Sequence, residues 1–114
     1  MRGEAMKWQL GDERDERIIQ YDGWLDLIDM TDIEAPGEAG VFVFVSQDLE
    51  VKYIGCAHES LSEEIRTAVS LGKASGANMY SWYITGSASS AESLGTHWLD
   101  KYKTINNVKD GIAK

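Results

Sequence analysis

A single cysteine, Cys56, and a single proline, Pro36, occur in the 114 residues. One thiol excludes an intramolecular disulfide framework. With only two histidines beside it, it cannot complete the usual nitrogen and sulfur tetrahedron of a structural zinc site. Cations are scarce: eleven Lys and Arg stand against nineteen Asp and Glu, a net charge of −8. Non-specific affinity for DNA or RNA comes from cations that replace counterions on phosphates, so this balance argues against a nucleic-acid partner. It argues equally against docking on an anionic membrane surface. Long apolar runs are missing too. The strongest, Val41 to Val45, falls far short of the roughly 20 residues a membrane span needs. The opening stretch, MRGEAMKWQL, has glutamate where a secretion signal would be apolar, so the cytoplasm is the expected compartment. No repeat or low-complexity tract is present.

What remains is an ordinary globular composition, 43% hydrophobic and 26% charged. The length suits one domain over 1–114, and a chain of this size buries roughly two-thirds of its unfolded surface. Gly11 to Arg17 is a charge run that reads as a solvated turn or helix face. Trp24, Leu25, Leu27, Ile28 and Thr31 follow helical spacing, which predicts a short amphipathic helix over Tyr21–Met30. Pro36-Gly37 then breaks the chain. Gly40–Ser46 is β-branched and aromatic and reads as a strand buried on both faces. Gln47-Asp48 supplies a turn into a second strand, Glu50–Ala57, forming a hairpin.

Ser60 followed by Glu63 matches a capping box. It opens a helix to Leu71 with Leu61, Ile65, Ala68 and Val69 inward and Gly72 as its stop. Met79–Thr85 is a third strand. After a turn of small residues, a last helix over Ala91–Lys103 places Ala91, Leu94, Trp98, Leu99 and Tyr102 on one side. Three strands in an antiparallel or mixed sheet, flanked by helices, make a small α+β layer fold.

The hairpin residues carry a resemblance. Gly40-Val41-Phe42, ten further residues, and then Tyr53-Ile54-Gly55 resemble the paired strands of GIY-YIG nucleases. Ala57, a loop and Leu61 resemble the family's approach to its first helix. Ala91 to Asn107 resembles its closing helix and the asparagine beyond. The likeness runs over 38–107, leaving 1–37 as an N-terminal extension. The family's members are metal-dependent endonucleases. Tyrosines from both hairpin strands line a shallow pocket, an arginine on the first helix grips the scissile phosphate, and a glutamate on the last helix holds a divalent cation.

Carried over residue by residue, the resemblance places Phe42, Tyr53, Glu64, Gly95 and Asn107 at the pocket positions. Tyr53 and Asn107 keep the family residue and are the candidate binding residues. Phe42 keeps the ring without the hydroxyl. Glu64 stands where the arginine is expected, which reverses the local charge. Arg66 lies about 200° further round the helix and cannot replace it. Gly95 stands where the metal-holding glutamate is expected. Glu92, one turn earlier, and Glu64 are the remaining candidate metal ligands. His58 and His97 read as surface residues.

The reading this favours is a nuclease-like domain that has lost its chemistry and serves as an interaction module with a protein partner. Two alternatives stand beside it. One is a divergent endonuclease that would use Mg or Mn held by Glu64 and Glu92. The other is a small structural protein that oligomerises through exposed Trp8 and Trp24.

Overall fold

The computed structural model describes residues 6–27 and 33–102. A 3-10 turn at Asp12–Arg14 is followed by two short strands, β1 (Gln20–Tyr21) and β2 (Leu25–Asp26). Then come β3 (Gly40–Val45), β4 (Val51–Ala57), helix α1 (Leu61–Ser70), β5 (Met79–Ile84) and helix α2 (Ala88–Tyr102). The architecture is α+β, with one antiparallel sheet in the order β1-β5-β3-β4 and β2 also paired to β5.

β3 is the middle of this sheet, and every one of its residues is buried. Side chains alternate across a strand, so its two apolar sets go to opposite faces. Val41, Val43 and Val45 pack with Ala91, Leu94, Trp98 and Tyr102 of α2. Phe42 and Phe44 pack with Leu61, Ile65 and Ala68 of α1. A continuous apolar run is what two covered faces require.

β4 pairs with β3 from Gly40↔Ala57 to Val45↔Val51, with an irregularity between Phe44 and Val45. The hairpin turn is tied by Ser46, whose hydroxyl accepts from the Asp48 and Glu50 amides at 3.2 and 3.1 Å. Leu49 takes a left-handed backbone there, φ 68°. From β4 the chain crosses through α1 and returns as β5 on the other side of β3. The Ser60 cap holds as expected, its hydroxyl accepting from the Glu63 amide at 3.3 Å.

The N-terminal third departs from expectation. Instead of a helix over Tyr21–Met30, Gln20-Tyr21 and Leu25-Asp26 pair with Ile84-Tyr83 and Tyr80-Met79 of β5. The sheet therefore has five strands, not three. β5 has an open edge that offers unpaired amides and carbonyls, and pairing there outweighs the weak helical periodicity of a short segment. Residues 28–30 of the expected helix lie outside the described residues, as do Lys103 and Asn107.

Trp8 and Trp24 do not form an exposed patch. Trp8 is 7% exposed. It sits among Trp24, Tyr83, Trp98 and Tyr102, with ring centroids 4.9–5.7 Å away. Leu99, expected on the inward side of α2, is exposed, and Gly95 takes a buried place on that helix. No helix among the described residues is long and apolar enough to cross a membrane.

Candidate functional site

β4 is an edge strand, and α1 and α2 lie on opposite faces of the sheet beside it. The site positions divide accordingly. Phe42 and Tyr53 face α1, with ring centroids 6.0 Å apart. Phe42 is 2% exposed and its ring covers Gly55, its partner across the hairpin. It is therefore a core side chain and not the open wall of a pocket. Tyr53 is half-buried, stacked on Phe44 at 5.8 Å.

Gly95 lies on the other face. A Cβ there would stand 3.6 Å from Cys56 Cβ and 3.8 Å from Val41 Cγ2, in ordinary contact. A methyl group there would fit without moving α2 from the end of the hairpin. No donor for a cation comes from this position.

Beyond the end of β4, His58 lies beside carboxylates from both helices. Glu64, exposed on α1, lines a shallow cleft with His58, Glu59, Ser60 and Glu63. Glu92, exposed in the early part of α2, reaches His58 Nε2 at 3.6 Å. His58 is the one cleft-lining side chain able to carry positive charge. Its contact with Glu92 joins the loop after β4 to α2, and nothing in the linear pattern signalled it. Arg66 turns along its own helix instead, donating from Nη1 to Ser62 Oγ at 2.9 Å.

The half-buried Cys56 thiol registers the local field. Its pKa is pushed up to about 11, chiefly by burial, and further by the negative charges of Glu92 and Glu64. A thiol held protonated in this way is a poor nucleophile at neutral pH.

The fold is that of a GIY-YIG endonuclease domain. Two solved structures share it. The GIY-YIG N-terminal endonuclease domain of UvrC from Thermotoga maritima, bound to its catalytic magnesium, is similar with a TM-score of 0.57 and 19% identity over 87% of this chain and 99% of that one. A point mutant of that domain, also bound to its catalytic divalent cation, gives 0.56 and 18% over 86% and 97%. No family model and no curated protein sequence matches the chain.

At the position where the resemblance calls for the glutamate that holds the cation, Gly95 offers no side-chain donor. Hard cations take several oxygen ligands in one shell. Among the described residues, no three His, Cys, Asp or Glu side chains stand together in a set that could hold a metal ion.

Proposed function

We propose that this domain does not cleave nucleic acid and serves as a binding module for a protein that presents a cationic face. The observation that carries the reading is the sign of the charge at the end of β4. Glu64 stands where the resemblance calls for a phosphate-gripping arginine, and Glu59 and Glu63 line the same cleft. Glu92 approaches from α2 through His58. A phosphodiester brought there would meet carboxylates, with no Lys or Arg among the described lining residues to stabilise charge in the transition state. The net charge of −8 repels the same substrate at longer range.

Purified protein is expected to leave DNA and RNA intact with Mg²⁺ or Mn²⁺, and to show no salt-dependent retention on duplex DNA or heparin. Loss of one transition-state donor typically costs about 2.7–4 kcal/mol, and two chemically essential positions differ here. Cleavage that disappears in Glu64→Ala or Glu92→Ala would overturn the proposal. It would support the second reading, a divergent endonuclease using these carboxylates. That reading draws on the place of His58, which lines the cleft with Glu64 of α1 and contacts Glu92 of α2.

A further inference from the structure

We propose that Met6–Arg17 is a latch, a segment that opens from α2 as a unit while the three long strands and both helices stay folded, with Asp12 as its catch. The pairings of β3 with β4 and β5 are complete without it. The latch joins the sheet through one isolated bridge, Lys7↔Glu50. Its backbone ties to the hairpin there are Trp8 N to Leu49 O and Val51 N to Met6 O, both 2.8 Å.

Its remaining polar ties run to α2. The Asp12 carboxylate accepts from Lys101 Nζ at 2.8 and 2.9 Å and from the Tyr102 hydroxyl. That hydroxyl in turn accepts from the Gln9 amide at 2.9 Å, so one oxygen of α2 both gives to and receives from the latch. At the other end Arg17, clasped by Asp15, donates to Ser93 Oγ at 2.8 Å.

The catch is built to be exchanged for water. The Asp12 and Lys101 side chains are 15% and 27% exposed, so each charge has solvent beside it when the pair parts. Gly11, between the Trp8 anchor and the Asp12 catch, has φ 108° and open space where a Cβ would be. That backbone region favours glycine, and bonds from the Gly11 amide to Glu13 and from the Arg14 amide to the Gly11 carbonyl hold the segment together as it moves. Opening withdraws Trp8 from the rings of Tyr83, Trp98 and Tyr102 and bares an aromatic face on the α2 side. Covering that much ring surface keeps the open state a minor one, reached by a sub-global opening.

Native-state hydrogen exchange on the full chain tests this. The latch amides are Trp8 and Gln9, and the Val43 amide in central β3 reports global unfolding. Ile65→Val weakens the core on the α1 face, far from the latch. It is expected to speed Val43 about two- to tenfold. Trp8 and Gln9 should stay unchanged, because the substitution acts equally on the latched and unlatched folded forms. Asp12→Ala is expected to speed Trp8 and Gln9 by about tenfold or more. If Ile65→Val speeds the latch amides by the same factor as Val43, the segment opens only with the whole molecule and the proposal fails. It fails equally if Asp12→Ala leaves the latch amides unchanged.

Discussion

Three glycines show how differently the same residue is used. At Gly40 a Cβ would stand 2.1 Å from the Tyr83 carbonyl oxygen and 2.8 Å from Leu61 Cδ1. The first of these is backbone of the paired strand and cannot move without parting β3 from β5. At Gly55 the intruding atoms belong to the Phe42 ring, the nearest at 2.1 Å, and that ring is itself enclosed. At Gly95 every contact is ordinary, and the helix interior favours alanine. Gly40→Ala is therefore expected to cost about 3 kcal/mol or more, by overpacking a site that cannot relax. Gly95→Ala is expected to gain about 0.5–1 kcal/mol. Urea unfolding of the two variants checks both signs. The same geometry means that Gly95 is not needed for the fold to close.

Among the elements, α1 was the most legible in the sequence. Ser60 and Glu63 are local signals, and a capping bond depends on only a few residues of chain. Ser60→Ala should lower stability by about 1 kcal/mol. The urea midpoint should fall with an unchanged m-value, because the cap alters neither core nor compactness. β1 and β2 were not legible. Each is two residues long, and only the open edge of β5, distant in sequence, makes them strands. The helical spacing of Trp24, Leu25 and Leu27 is real but serves another end: Trp24 joins the aromatic cluster on the α2 face, and Leu25 and Leu27 join the core on the α1 face.

For the molecule as a whole, stability should fall steadily once the pH rises above about 9. Burial lifts the Cys56 thiol from 9.0 to about 11. It also pushes the Tyr83 and Tyr102 hydroxyls above their ordinary value. Between the ordinary and the raised pKa, the unfolded chain releases protons that the folded chain keeps, so each step in pH favours unfolding. For Cys56 that window is pH 9 to about 11, and the tyrosines carry it higher. At the other end, hydrogen bonds from Arg17 hold the Asp15 carboxyl below its ordinary 3.8. Its contribution is complete at neutral pH and is lost as the pH falls below that value. Unfolding free energies across the range check both limbs. The Cys56→Ser variant should keep the alkaline fall due to the tyrosines and lose the part that begins near pH 9.

The sequence by itself determined the middle of this protein: the buried strand of β3, the hairpin, the capped α1 and the amphipathic α2. Each rests on periodicity, turn chemistry or capping within a few residues, and those forces act before the chain is folded. It also determined which residue types stand at the positions the resemblance singles out, including Glu64 and Gly95. The tertiary structure alone decided where they meet. It put Phe42 and Tyr53 on one face of the sheet and Gly95 on the other, and it brought Glu92 to His58 beyond the edge of β4. It also turned the N-terminal segment into a strap with Trp8 at its anchor. These outcomes depend on sheet order and on contacts between residues more than ninety positions apart, as in the Gln9–Tyr102 hydrogen bond, and no local pattern encodes them.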